Sequence, residues 1–308
     1  MTMHQSMHAT TATRKCLLFL LFLFTTVGQA CAAEPEHRPL KLTLCAEYTT
    51  IVPGQTFTVG LLLQHQPNHH SYFKFPCIVG VGTKIEWTLP KGYIASEIQW
   101  PVPQRVDMRG HGAYGYRKDT LLLVDVTPPA AVPPKDNPAR IELQACVGYM
   151  CCSQERCTPG FEDLTLTINV SNTPVAHPTW PAHFDATRQA HAKTFSNWNA
   201  RVETEEDAFH LHLTAPRGLK PEDLPKPEHL YFFSTNHWTA SNEPHRCEHN
   251  GRDYHFSLPK HPFPDENATR FQGILRNTEG WNKHTTGMLI DLPLITRQPQ
   301  DHEGIVPR

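Results

Sequence analysis

Short apolar stretches, broken at close intervals by proline and glycine, run along this chain from Leu40 onward and leave little room for long helices. Leu40-Lys-Leu-Thr-Leu44 alternates, and Phe57-Thr-Val-Gly-Leu-Leu-Leu63 reads as the core strand of a sandwich. Lys84-Ile-Glu-Trp-Thr-Leu89 alternates and stops at Pro90-Lys-Gly92, a turn signal. Thr120-Leu-Leu-Leu-Val-Asp-Val126 stops at Pro128-Pro129, and residues 141–145 and 164–170 complete the set. Six or more strands at this spacing predict an all-β fold, with a β-sandwich over residues 33–170. The 28 prolines and 17 glycines among 308 residues fit that turn-rich reading.

Residues 171–181 carry three prolines and little periodicity, which predicts a linker. A second, smaller, mainly-β domain is expected over 182–296. Its strands are read at 209–213, 230–233, 254–258 and 287–292, and Phe184, Ala190 and Phe195 fall on helical spacing near its start. The polar residues 297–308 are expected to form a flexible tail.

The first 32 residues read as a secretory signal peptide. Arg14 and Lys15 precede the unbroken apolar run from Cys16 to Phe24, and Ala30-Cys-Ala32 offers a small-x-small cleavage site. That run is shorter than the roughly 20 residues of a comfortable membrane span, and no second apolar run of spanning length follows, so the mature chain is expected to have no transmembrane segment. A lipid anchor at Cys31 is disfavoured because Gly28 stands where a branched aliphatic residue belongs. Export to the periplasm or beyond is the expected destination. Cleavage leaves 26 basic and 30 acidic residues, a formal charge of -4. With no run of Lys or Arg, nucleic acid is not an expected partner.

Seven cysteines stay in the mature chain, and in an oxidising compartment an odd count leaves at least one outside intramolecular pairing. Four of them, Cys146, Cys151, Cys152 and Cys157, lie within twelve positions, between two expected strands. Five residues separate Cys151 from Cys157, enough chain to turn back and bring two Cα atoms within disulfide range. Cys152 is the alternative partner for Cys157. Arg156 favours a thiolate on its neighbour Cys157, whereas Glu155 opposes it. On spacing alone a structural disulfide, a redox pair and a metal site all stand.

Family likeness narrows the choice. Cys151, Cys157 and Pro159, followed by Leu164-Thr-Leu-Thr-Ile168, resemble the end of the extracytoplasmic N-terminal domain of the thiol:disulfide interchange protein DsbD and its ScsB-like relatives. His70-Ser-Tyr-Phe-Lys-Phe-Pro76, residues 85–92 and Ile98-Gln-Trp-Pro-Val-Pro103 resemble the opening strands of that domain. Ala113-Tyr-Gly-Tyr116 resembles the loop that caps its cysteine pair, and Leu230-Tyr-Phe-Phe233 with Phe271-Gln-Gly-Ile-Leu275 resembles, more faintly, the added region of the ScsB-like branch. The likeness implies an immunoglobulin-like sandwich and a Cys151/Cys157 pair that passes electrons between protein dithiols. Cys157 would attack and Cys151 resolve, with Tyr114, Gly115 and Tyr116 as the cap. It implies no cofactor. Expected partners are extracytoplasmic thiol–disulfide proteins, among them isomerases or cytochrome-maturation proteins. Full-length members continue into a membrane domain and a thioredoxin-like domain; here a separate membrane protein is the expected electron donor.

The remaining candidates read more blandly. Cys146 and Cys152 are possible competitors in pairing, and Cys45 with Cys77 a possible structural bridge. His245-Arg-Cys-Glu-His249 has soft-metal donors in a polar loop, but no metal site is expected there, and His210 with His212 reads as the solvated face of a strand. No nucleophile elbow or phosphate-binding glycine loop is present in the sequence. Two other readings therefore stay beside the redox one: a non-catalytic β-sandwich interaction module stapled by disulfides, and a periplasmic metal-binding protein.

Overall fold

In the computed structural model, residues 38–130, 139–263 and 269–294 are described; the expected signal peptide, the Cys31 question and the tail 297–308 lie outside them. The all-β expectation holds. The first half forms β1 (Leu40–Ala46), β2 (Tyr48–Ile51), β3 (Phe57–His65), β4 (His70–Tyr72), β5 (Lys84–Thr88) and β6 (Ile94–Ala95). It continues through β7 (Gln104–Met108), β8 (His111–Tyr116), β9 (Thr120–Thr127), β10 (Arg140–Cys152), β11 (Cys157–Val170) and β12 (Val175–Ala176). One sheet runs β1-β3-β9-β6, and the other β12-β2-β11-β10-β4-β8-β7 with β5 also on β10. Leu40, Leu42, Leu61, Leu63 and Leu122 of the first sheet close on Ala145, Val147, Tyr149 and Cys151 of the second. Burying those apolar faces against each other drives the sandwich together.

The strands β10 and β11 are much longer than the turn signals imply. Ile141, Leu143, Ala145, Val147, Tyr149 and Cys151 are all buried, while the residues between them are exposed or half-buried except Cys152 at the end. This period-two pattern carries the strand straight into the cysteine cluster. Cys151, Cys152 and Cys157 therefore lie on the strand ends at the tip of a hairpin, with Cys146 farther down β10.

A helix follows, α1 (Pro181–Ala190), with proline in its first turn. Its Phe184 is fully buried against Cys45, Leu121 and Leu123, and Arg188 grips Glu47 at 2.5 and 2.9 Å. The helix expected near residue 182 thus packs on the first sandwich. Within the expected linker, β12 pairs with β2.

The second half forms β13 (Asn199–Thr204), β14 (Ala208–Thr214), β15 (Leu230–Ser234), β16 (Arg246–Asn250), β17 (Asp253–Pro259), β18 (Arg270–Asn277) and β19 (Gly287–Pro293). Sheets β13-β14-β17-β16 and β15-β18-β19 enclose a core that includes Phe209, Leu211, Tyr254, Phe256, Phe232 and Phe271. The two halves touch through side chains: Phe73, Tyr114 and Tyr116 of the first bury against Phe233 and Ile274 of the second. No helix among the described residues is long and apolar enough to cross a membrane.

Candidate redox site

The disulfide joins Cys152 to Cys157, not Cys151 to Cys157. Strand geometry decides this. In the β10–β11 ladder Cys152 stands directly opposite Cys157, and Cys151 opposite Thr158. Directly opposed residues share a face, while their neighbours point away. Cys151 accordingly turns inward and is fully buried beside Leu40 and Leu63. Burial pushes its thiol up to about 12, so it is a neutral core residue.

Ser153 to Arg156 close the hairpin, with the Ser153 amide donating to Arg156 O at 2.9 Å. Cys152 is fully buried and Cys157 half-buried. An incoming thiolate therefore meets Cys157 first.

Beneath the bond lies β4, whose His70 pairs with Cys152. Alternation sends His70 and Tyr72 to the disulfide side and Ser71 to the other. The Tyr72 hydroxyl donates to Cys152 Sγ at 3.1 Å and sits 3.9 Å from Cys157 Sγ. His70 Nε2 lies 3.3 Å from the same hydroxyl. Burial drives the His70 imidazole down to about 4 and the Tyr72 phenol up to about 12. Both stay neutral near pH 7. With the phenol proton aimed at sulfur, the tautomer that fits is His70 with its hydrogen on Nε2, donating to Tyr72.

The cover is built differently from expectation. Tyr114 and Tyr116 lie on β8, but they face away from the disulfide. Tyr114 is fully buried edge-on to Phe233, with ring centroids 4.9 Å apart, and Tyr116 stacks on Trp100 and donates to Pro101 O. Their neighbour Ala113 takes the disulfide side, together with Tyr72, Val106 and Met108. Gly115 pairs with Tyr72 and brings β8 onto β4.

The tip of the cover is the β7–β8 turn at Arg109 and Gly110, both with positive φ, the turn geometry that suits a two-residue hairpin. It is fastened to the cysteine hairpin. Arg109 donates to the carbonyls of Gln154 and Glu155, and Gln154 Nε2 donates to Asp107 O at 3.1 Å. These contacts are exposed to solvent.

The other cysteines stay apart. Cys45 donates to Gly60 O under α1. Cys77 donates to Thr239 O of the second half, so the two do not bridge. Cys146 is a free thiol beside Asp163, whose hydrogen bond and charge raise it. His210 and His212 share the outer face of β14 as expected, stacked on His255. Among the described residues no group of three or more His, Cys, Asp or Glu is placed to hold a metal.

Tyr72, His70 and the Arg109 turn escaped the sequence reading, although alternation through His70-Ser-Tyr72 carries the signal for the first two. Replacing Tyr72 with Phe removes the hydrogen bond that its hydroxyl donates to Cys152 Sγ. A hydrogen bond to a charged sulfur is worth about 1.5–3 kcal/mol, so opening of the bond by dithiothreitol should slow roughly ten- to hundredfold. An unchanged rate would show that Tyr72 only packs.

The comparisons bear on the family and the fold. Residues 40–169 match the family model for the N-terminal domain of the thiol:disulfide interchange protein DsbD. The structure superposes on the N-terminal periplasmic domain of ScsB from Proteus mirabilis with a TM-score of 0.60 at 12% identity, covering 85% of this chain and 95% of that one. At that identity the likeness speaks for the fold. The periplasmic chaperone SfaE (TM-score 0.24, 9% identity, 83% of this chain and 100% of that one) is too distant in shape to carry an argument. So is the sporulation control protein Spo0M from Bacillus subtilis (0.23, 8%, 83% and 91%). No curated protein matches in sequence. Residues 40–169, then, match the family of the DsbD N-terminal domain, with a Cys152–Cys157 disulfide at the tip of their long hairpin.

Proposed function

We propose that this protein is an exported, cofactor-free thiol:disulfide exchange module that passes electron pairs between protein dithiols through Cys152 and Cys157. The observation that carries the reading is the asymmetry of the bond: a half-buried Cys157 joined to a buried Cys152 whose sulfur accepts a hydrogen bond from Tyr72. A structural staple needs no such donor.

In the reducing direction, a donor thiolate attacks Cys157 Sγ. The Cys152–Cys157 bond breaks and Cys152 leaves as a thiolate, stabilised by the Tyr72 hydroxyl. The donor's second thiolate then attacks its own sulfur in the mixed disulfide and releases Cys157. The donor is oxidised by two electrons, the pair here is reduced, and two protons complete the thiols. In the forward step the Cys157 thiolate attacks an acceptor's disulfide and Cys152 resolves it. The proposed donor is a separate membrane protein, and the proposed acceptors are extracytoplasmic thiol–disulfide proteins. The family match and the likeness to a periplasmic domain support export.

Titration of the folded protein against dithiothreitol or glutathione buffers, with alkylation read at each cysteine by peptide mass, tests the reading. Cys152 and Cys157 should open and close together, reversibly, at a potential above about -300 mV. A bond that stays closed until the fold is denatured would overturn the proposal and leave an interaction module with a staple.

A further inference from the structure

Resting on the exchange reading, we propose that the outer face of the β10–β11 hairpin, from Cys157 through Pro159 to Phe161, is the seat for an apolar segment flanking the partner's reactive cysteine. The register sets the surface. Cys157, Pro159 and Phe161 share one face of β11, and directly across on β10 stand Cys152, Met150 and Gly148. This face points away from the sandwich core, since the alternate residues Tyr149 and Cys151 are the ones that enter it.

The strip is apolar where an outer sheet face is ordinarily polar. Phe161 is 83% exposed and Val81, which lines the same groove, 46%. Pro159 is exposed and Met150 half-buried between them. A Cβ on Gly148 would sit 3.0 Å from the Phe161 ring. The glycine thus lets the ring lie down on β10 with its other face open. A shallow groove results, about 13 Å from Cys157 at its far end for a strand rise of about 3.3 Å per residue.

The occupant follows from the chemistry next door. A mixed disulfide puts the partner's sulfur in covalent contact with Cys157 Sγ, so the residues beside the partner's cysteine must lie over one flank of the site. On one flank is the polar turn of Gln154, Glu155 and Arg156, already engaged by Arg109. On the other is this groove. Lys84 and Glu86 at its border bring one charge of each sign, which selects for neither, whereas apolar contact with Phe161 and Pro159 selects for an apolar neighbour. Proline at 159 also removes an amide from β11, which favours side-chain docking over strand addition.

Two peptide thiols separate the possibilities: Gly-Cys-Gly and Gly-Cys-Gly-Leu-Phe, matched for thiol pKa, each opening the Cys152–Cys157 bond of the folded protein under second-order conditions. The apolar peptide should react about fivefold faster, the effect of burying a fraction of one aromatic side chain. Phe161→Ser should bring the ratio close to one. An exposed ring can be removed without unfolding the protein. Equal rates in the unsubstituted protein, or an undiminished ratio in the variant, would overturn the docking surface alone. A bond that neither peptide opens would overturn the exchange reading beneath it.

Discussion

Cys152→Ser should abolish reversible disulfide exchange, while Cys151→Ser leaves it intact. The two residues are adjacent, yet their surroundings differ completely. Cys152 lies across the ladder from Cys157 and is bonded to it. Cys151 lies on the far side of the strand, in the leucine core, where its thiol donates to the Pro39 carbonyl at 3.6 Å. Serine at 152 leaves Cys157 as a thiol without a resolving partner. It can still form a mixed disulfide, but that adduct should persist and be seen as a mass increase at Cys157 alone. The steady exchange rate should fall by at least about a hundredfold, because turnover then waits for an external thiol to do what an intramolecular one does at high effective concentration. Cys157→Ser should remove both the adduct and the exchange. Cys151→Ser costs only stability, about 1–3 kcal/mol for a hydroxyl in an apolar site. If Cys151→Ser instead lost exchange at full stability, the pair assigned here would be wrong.

The fold class was legible because its signals are local. Alternation at residues 40–44, 84–88 and 209–213 marks strands, and turn residues mark where several of them stop. The cysteine pairing was harder for a different reason. Loop length admits Cys151 and Cys152 equally well; only the strand's parity tells them apart. Parity was in fact readable: the inward series Ile141, Leu143, Ala145, Val147 and Tyr149 runs on to Cys151, which leaves Cys152 facing out with Cys157. The same two-residue period turns Ala113 to the disulfide and Tyr114 away from it. The Arg109 tip was not legible. Its hold on Gln154 and Glu155 spans more than forty residues and uses backbone carbonyls, which every sequence has. Likewise, nothing in Phe184 or Arg188 says which sandwich the helix will choose until Glu47 and Leu121 are seen beside them.

Gly115→Ala should be the most disruptive single methyl group near the site. A Cβ at this position would lie 2.1 Å from the carbonyl oxygen of Ser71 and 3.2 Å from Val106 Cγ2. The oxygen belongs to the backbone of β4, between His70 and Tyr72, so no rotamer can relieve the clash. The strands must part. Parting β8 from β4 breaks the pairs of Tyr72 with Gly115 and of Ser71 with Tyr116, and overpacking of this kind costs about 1–3 kcal/mol or more. The consequence reaches the sulfur, because β4 is what holds the Tyr72 hydroxyl against Cys152. Gly115→Ala should therefore lower the denaturant midpoint and also slow opening of the disulfide by dithiothreitol, the second effect matching that of Tyr72→Phe. Gly218→Ala, where a Cβ meets nothing within 4 Å, supplies the control and should change neither. If Gly115→Ala proved as stable as the unsubstituted protein, the close approach of β8 to β4 would not be what positions Tyr72. If it were destabilised yet opened at the normal rate, the tyrosine would owe its place to His70 and the packing around it.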